Sequence, residues 1–317
     1  MTDQNINNRL LNLLRNPAKV RKLPGMIRDM ISKTMRIRRV RSNYALYERS
    51  GAAAINGDLP YDCDTVHRQF IEAGLSPVDY RVDVAAYHDY CSRHAERYQP
   101  YRMRYEQVFA EKALEHFISL SFAKLSSSSK VIDIAASSSP FPEIVHADAD
   151  CNVWSNDLAF PPGVHTDGWH TRIGGDAGQL PVKDEFFDLA VLHCALEMFE
   201  GDADMRLIRK AGQILRKGGR LVIIPLYMHE QHHILRDPRT DRSPLPAIDP
   251  GARLVYRNDY YGIAFSRFYS VTAFMERLIT SSSDLDVTVY RVRNSREIHP
   301  SCYLDWIAVF EKRNGHV

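Results

Sequence analysis

The sequence predicts an α/β fold: a doubly wound, mostly parallel sheet of seven strands with one antiparallel strand, preceded by a helical N-terminal extension. Three observations predict it. From Lys130 onward the short β-prone runs Val131–Ala135, Cys151–Ser155, Phe187–Leu192 and Leu221–Leu226 replace a helical pattern, and the amphipathic stretch Asp202–Leu215 stands between the last two. Strands alternating with helices imply parallel pairing through right-handed crossovers. Two later β-prone runs, Asp286–Val292 and Tyr303–Glu311, have only a short non-helical segment between them, which predicts a hairpin and an antiparallel strand at or near the edge. Acids also recur at strand ends: Asp133, Asp157, and Asp176 after Gly174-Gly175.

Length and composition bound the class. The 317 residues are 44% hydrophobic and 25% charged, enough for one large core with a smaller appendage. Apolar runs such as Leu221–Leu226 are strand-sized, far below the roughly 18 residues of a membrane helix. Thr2–Asn8 is mostly polar, and Arg9 and Arg15 bracket a short Leu cluster, a poor secretory signal. Five cysteines, at 63, 91, 151, 194 and 302, lack CxxC spacing. They suggest neither a disulfide framework nor a zinc knuckle, and they fit a reducing cytoplasm.

Residues 1–50 form the first predicted segment, a basic amphipathic arm with 12 Lys/Arg against 3 Asp/Glu, net +9; the remainder holds 29 against 36, net −7. Ile6, Leu10, Leu13 and Leu14 recur at helical spacing, and after Pro24 so do Met26, Ile27, Met30, Ile31 and Met35. Arg28, Lys33, Arg36, Arg38, Arg39 and Arg41 occupy other positions. Three readings stand: a cap or homodimer contact with solvated charges, peripheral contact of residues 1–41 with an anionic membrane at its inner face, or contact with nucleic acid.

Residues 51–125 read as a helical lid or cap. Gly51, Gly57 and Pro60 make 51–75 loop-like, and tyrosines crowd Asp79–Tyr105. Tyr105, Phe109, Ala113, Phe117 and Leu120 fall near helical spacing, so Arg102–Ala123 predicts one long helix, with Ser126–Ser129 as the turn before the sheet. The tyrosines read either as packing between helix and core or as an aromatic lid.

Residues 126–317 form the predicted core. Within it Asp202–Leu215 is read as a helix ended by Gly218-Gly219, and Val271–Thr280 as another helix. In a doubly wound sheet a ligand sits beyond the carboxyl ends of the strands, where small residues let the backbone approach. The first strand runs into Ala135-Ala136-Ser137-Ser138-Ser139-Pro140. Asp157 is placed for ribose hydroxyls and Asp176 for an adenine amine. One acid at a strand end also reads as a helix cap; three in register point to a nucleoside.

These motifs resemble those of class I S-adenosylmethionine-dependent methyltransferases, over about residues 100–312, which implies a Rossmann-like sheet. Asp133 with Ala135, Ser137 and Ser139 fills the family's first motif, an acid followed by alternating glycines. Asp157 resembles the ribose acid, with Leu158 beside it, and Asp176-Ala177 the adenine side. Phe187–His193 runs into Ala195-Leu196-Glu197 much as the family's fourth strand runs into its "LEH" stretch, with Met198 where many relatives have His. Ala211–Leu221 resembles the approach to the fifth strand. The resemblance implies S-adenosylmethionine as cofactor and S-adenosylhomocysteine as product, with His193 also near the cofactor. Met198 and the lost glycines are the two departures from the family, and the second has two consequences: the loop must take an Ala/Ser-compatible shape, and the absent GxGxxG argues against a dinucleotide enzyme.

A sulfonium already makes its methyl group electrophilic, so the protein must align the groups and remove a proton from a hydroxyl. His193, Glu197, His229 and His232 are the candidate bases. Residues 227–269 read as the substrate insert, with six arginines and many aromatics; Tyr227, Arg236, Tyr260, Tyr261 and Arg267 are its candidate substrate contacts. The arginines also read as partners of Asp237, Asp241, Asp249 and Asp259. His229-Glu230-Gln231-His232-His233 matches HExxH, but it follows a strand and Pro225 rather than lying in a helix, so no metal is predicted; a divalent metal in the substrate pocket, with Glu230 as a further ligand, stands as the alternative.

The expected function is methyl transfer to a small molecule or glycan, at oxygen, in the cytoplasm. Competing readings are an RNA methyltransferase using the basic arm, a non-methylating enzyme with the same cofactor, and a scaffold without turnover. Against nucleic acid, the fourth strand ends in His193-Cys194-Ala195 instead of the Asn/Asp-Pro-Pro-aromatic turn of base-amine enzymes.

Overall fold

The protein is described by a computed structural model covering residues 25–242 and 248–314, the side chains of 25–31 excepted. The stripe Ile6–Leu14, the side chains of Met26–Ile31, and Pro244 and Pro246 lie outside it. Two units form: Asp58–Leu235 with Ala247–Val255 and Phe265–Val317, and Met1–Gly57 with Arg236–Pro246 and Tyr256–Ala264.

The larger unit holds an α/β sheet of strands β1 (Val78–Tyr80), β2 (Lys130–Ile134), β3 (Asn152–Asp167), β4 (His170–Gly174), β5 (Phe187–His193), β6 (Leu215–Ile224), β7 (Leu285–Val292) and β8 (Trp306–Lys312). Their order is β1-β7-β8-β6-β5-β2-β3-β4. Strands β6, β5, β2 and the first leg of β3 are parallel, and β8 runs antiparallel to both β6 and β7. The expected seven strands become eight because β1 pairs with β7 from Val78↔Tyr290 to Tyr80↔Val292.

The central strands β2 and β5 and the Leu221–Ile224 end of β6 are buried on both faces, as parallel strands covered by helices are. In β2, Ile132 and Ile134 join the core on one face, with Leu207, Ile208 and Phe274, while Val131 joins the core on the other, with Ile118, Phe141 and Val222. The two-residue period of a strand separates them.

Helices α1 (Cys63–Glu72), α2 (Val84–Arg93), α3 (Ala95–Arg104), α4 (Phe109–Ser121), α5 (Phe141–Ala149) and α6 (Ala203–Ile214) belong to this unit. Helix α1 occupies part of the stretch read as loop: Asp62 caps it through Asp64 N, and Val66 and Phe70 are buried on one face. The long helix expected at 102–123 is broken at Tyr105. In one continuous helix Tyr98 and His116 would stand about 27 Å apart along the axis. Here the Tyr98 hydroxyl is 2.9 Å from His116 Nδ1, so the chain folds back between α3 and α4. Tyr87, Tyr90 and Tyr98 are buried packing residues.

Three other readings change. Gly218-Gly219 lies inside β6 rather than capping α6, which ends at Ile214; a Cβ on Gly219 would stand 2.8 Å from the Phe187 carbonyl oxygen. The 271–280 segment is one α-turn, Val271–Phe274, continued by a π-turn, Met275–Ile279. The final strand pair is joined through a short helix, Ser295–Ile298. Strand β3 also outruns its expected end: after Asp157 it folds back, and Val164–Asp167 pairs as a hairpin leg with the same β4 residues, from Ile173 back to His170.

The smaller unit contains the arm helix Gly25–Arg49. Its C-terminal half is anchored: Asn43 donates to the carbonyls of Pro238 and Asp241, Tyr47 donates to Asp241, and the Tyr47 ring stacks on Tyr256. Among the described residues no helix is long and apolar enough to cross a membrane.

Candidate functional site

A cavity of about 600 Å³ is lined at the carboxyl ends of β2, β3 and β4 by Ala135, Ser137, Asp157, Leu158, Asp176 and Ala177. That size suits a small molecule. The loop after β2 keeps the left-handed turns that glycines usually supply: φ is +57° at Ala135 and +47° at Ser137. Both values fall in the left-handed helical region, which L-residues can enter at a cost. The loop is therefore Ala/Ser-compatible without giving up positive φ.

Each acid at the cavity is fixed by backbone donors. Asp157 accepts from Ser137 N at 2.8 Å and from Ala159 N at 2.7 Å; Asp176 accepts from Gly178 N at 2.8 Å and from Arg206 at 3.0 Å. A carboxylate oxygen has two lone pairs, so Asp157 keeps acceptor capacity for hydroxyls. Gly175 lines the cavity at φ +137°, and a Cβ there would meet nothing within 4 Å, that is, it would project into open space. Asn156, which sequence reading passed over, donates to the carbonyls of Ile173 and Gly175 and ties the two strands together. Small loop residues, a fixed acid with spare lone pairs and a glycine beside it fit the nucleoside of S-adenosylmethionine.

Asp133, Ser139 and His193 do not line the cavity; Asp133 is buried and the other two are partly buried. His193 Nε2 is 2.8 Å from Ser119 Oγ and its Nδ1 is 3.4 Å from Asp133 Oδ1. Ser119 donates its only proton to the Glu115 carbonyl, so the imidazole is the donor at Nε2 and bare at Nδ1. A protonated Asp133 completes this pattern, and burial pushes its carboxyl up to about 8. Burial also pulls His193 down to about 3. A ring held between these two partners, whose charged form burial disfavours, is a weak proton acceptor.

The carboxyl end of β5 opens a second cluster. Cys194, at φ +50°, places its Sγ 3.5 Å from Glu197 Oε1 and 3.2 Å from the Tyr227 hydroxyl. Helix α4 adds Glu111, Lys112 and Glu115, with Lys112 Nζ 3.0 Å from Glu115 Oε1. Burial raises Glu111 and Glu197 to about 7 and Glu115 to about 8, and it pushes the Cys194 thiol up to about 12. Glu197 Oε2 is buried without a hydrogen-bond partner. Its neighbours in the turn, Ala195 and Met198, line the cavity. Helix α4 carried no recognisable motif, so Lys112 and its two acids were not legible in advance.

The insert is committed to holding itself together. Arg236, expected at a substrate, lies buried with Asp241, its Nη2 2.8 Å from Oδ1. Arg267 is buried against Asp249 at 2.6 Å and Asp204 at 3.2 Å. Arg239 pairs with Asp237 and Arg257 with Asp259. Tyr227 is bound to Cys194; Tyr260 is largely exposed, and the Arg257 guanidinium covers the Tyr261 ring at 4.9 Å.

His229 and His232 are engaged too: His229 Nε2 is 3.1 Å from the Pro60 carbonyl, and His232 lies between the Phe268 carbonyl and Asp249. Of the expected site residues only His232 lines a larger open hollow of about 900 Å³ beside Glu72 and Glu276. Among the described residues no group of His, Cys, Asp and Glu is arranged to hold a metal ion.

Comparison with known proteins bears on the same strands. No curated protein matches the chain. Solved structures similar to it include a Burkholderia thailandensis 1,6-didemethyltoxoflavin-N1-methyltransferase with bound S-adenosylhomocysteine, at 15% identity and TM-score 0.46, covering 76% of this chain and 95% of that one. A Mesorhizobium loti S-adenosylmethionine-dependent methyltransferase matches at 18% identity and TM-score 0.42, over 64% and 100%. A methyltransferase in complex with the Haloferax volcanii Trm112 activator matches at 13% identity and TM-score 0.45, over 70% and 98%. Residues 155–223 match the family described as a methyltransferase domain. That segment begins two residues before Asp157 and ends within β6, so it takes in the parts of β3 and β4 that line the cavity, while β2 and its Ala135–Ser137 loop lie before it.

Proposed function

We propose that the chain methylates a hydroxyl group of a small molecule or glycan, with Glu197 as the general base. The observation that carries this reading is the buried, unpartnered Glu197 Oε2 in the turn whose neighbours line the cavity. A carboxyl raised to about 7 is matched to proton removal near neutral pH. S-adenosylmethionine, when bound, supplies a methyl group on a positively charged sulfur that departs as a neutral thioether. Asp157 would hold its ribose, and the Ala135–Ser137 backbone would lie against it. Glu197 would accept the hydroxyl proton as the acceptor oxygen gains the methyl.

Radiolabelled methyl transfer to panels of hydroxylated small molecules, glycans, amines and RNA tests the reading. Transfer to hydroxyls, lowered about 100-fold or more in E197Q with S-adenosylhomocysteine binding intact, is the expected result. Transfer confined to amines or RNA would overturn it.

The arm supports peripheral contact with an anionic membrane. Lys33, Arg36, Arg38, Arg39 and Arg41 are exposed, and among the described residues no acid pairs with any of them. Met35 and Ile37 are exposed between them, and Lys33, Arg36, Ile37 and Arg41 border a groove of about 510 Å³. Each such cation contributes about 1 kcal/mol near an anionic surface. Co-sedimentation with phosphatidylserine vesicles should fall when the four arginines are changed to Gln; equal binding to RNA and vesicles would count against this partner.

A further inference from the structure

We propose that Lys112 is a positioning residue for methyl transfer: its ammonium, held by Glu115 in a buried cluster with Cys194, sets the charge state of Glu197. This rests on the reading of Glu197 as the base.

Four elements converge on the cluster. Helix α4 supplies Glu111, Lys112 and Glu115, the exit of β5 supplies Cys194 and Glu197, and Tyr227 and Tyr303 come from the segments after β6 and before β8. Lys112 Nζ lies 3.0 and 3.3 Å from the two Glu115 oxygens. Cys194 Sγ lies 3.5 Å from Glu197 Oε1, 3.2 Å from the Tyr227 hydroxyl and 3.7 Å from the Tyr303 hydroxyl. The Tyr303 N–H donates to Glu111 Oε2 at 3.0 Å. Glu115 thus holds Lys112, and Cys194 holds Glu197, within one buried cluster.

The charges do not balance. Three buried carboxyls face one ammonium, and two of their oxygens, Glu111 Oε1 and Glu197 Oε2, are buried without a partner. Isolated buried carboxylates are strongly disfavoured, so the cluster takes up protons instead. The other titratable neighbours carry no charge: burial keeps the Tyr227 and Tyr303 phenols and the Cys194 thiol protonated, and it keeps His116 and His193 neutral. Burial works against the Lys112 ammonium too, but the Glu115 carboxylate outweighs it and holds it charged. Lys112 is thus the cation against which Glu197 is tuned. Removing it leaves three acids to compete for protons with nothing to offset them.

Carbon-13 NMR of glutamate side-chain carboxyls, with the Glu197 signal identified by its loss in E197Q, tests this without an acceptor. In the wild type Glu197 should titrate near neutral pH. In K112M its midpoint should rise by about one unit or more, and K112R should restore it. A folded K112M, shown by unchanged S-adenosylhomocysteine binding, whose Glu197 midpoint does not move would overturn the proposal, as would a midpoint that K112R leaves raised. Should K112M fail to fold, E115Q serves: freeing the ammonium and deleting one acid should lower the Glu197 midpoint, and no change would overturn the proposal. A wild-type midpoint near 4 would sink the base reading itself, whereas a neutral midpoint indifferent to Lys112 would sink only this inference.

Discussion

The backbone N–H of Ser137 donates to Asp157 Oδ2 at 2.8 Å, so the left-handed loop after β2 and the acid that ends the parallel leg of β3 form one hydrogen-bonded unit. Removing the carboxylate removes both a ligand for ribose hydroxyls and the loop's anchor. Charge-assisted hydrogen bonds contribute about 1.5–3 kcal/mol each. D157A should therefore weaken S-adenosylhomocysteine binding by about tenfold to a hundredfold in calorimetry. Wild-type affinity would show that the nucleoside lies elsewhere.

Ala135 holds φ +57° with a side chain present. A left-handed residue costs about 1–2 kcal/mol relative to the right-handed form, and β-branching makes it worse. A135V should lower the melting temperature and weaken cofactor binding. A135G relieves the strain but loosens the unfolded chain by about 0.4–1 kcal/mol, so its stability should stay level or rise slightly. Thermal melts of the two variants decide it: equal losses for Val and Gly would mean that the loop is not held in this conformation.

Arg267 joins Asp249 and Asp204 and donates to the carbonyls of Phe199 and Gly201. Breaking a buried pair by deleting one partner costs about 3–5 kcal/mol. R267M should fail chiefly in stability, read from denaturant unfolding. A variant that unfolds like the wild type yet loses acceptor affinity would restore Arg267 to the substrate.

The sheet was legible because its signals are local. A run such as Leu189–Leu192 is apolar on both faces wherever it is placed, and the acids at 133, 157 and 176 stand at or just beyond the ends of short apolar runs. What the sequence concealed depends on distant partners. The break at Tyr105 exists because Tyr98 meets His116 across the fold, and β1 joins the sheet through Tyr290 and its neighbours, some 210 residues away. His193 looked like a base from its place at the end of a strand; only its contacts with Ser119 and Asp133 show that it is enclosed. The arginines of the insert faced two sets of partners, substrate or aspartate, and composition does not choose between them.

Stability should fall as pH rises from about 6.5 to 8. Glu111, Glu115, Glu197 and Asp133 are raised by burial to about 7, 8, 7 and 8, so the folded chain keeps their protons after the unfolded chain, with ordinary carboxyls, has lost them. Between these values the native state binds more protons, and the free energy of unfolding must decrease with pH. His193, pulled down to about 3, works the other way, because its unfolded form binds a proton that the native form lacks. Its contribution rises with pH only up to the ordinary imidazole value near 6.5. Below that value the two effects oppose each other; above it the acids act alone until they ionise near 8. Urea midpoints measured at half-unit pH steps should show this decline, and E115Q should flatten it by deleting the acid with the higher value in the cluster. A midpoint that climbs steadily from pH 6.5 to 8 would mean that these carboxyls are ionised in the native protein.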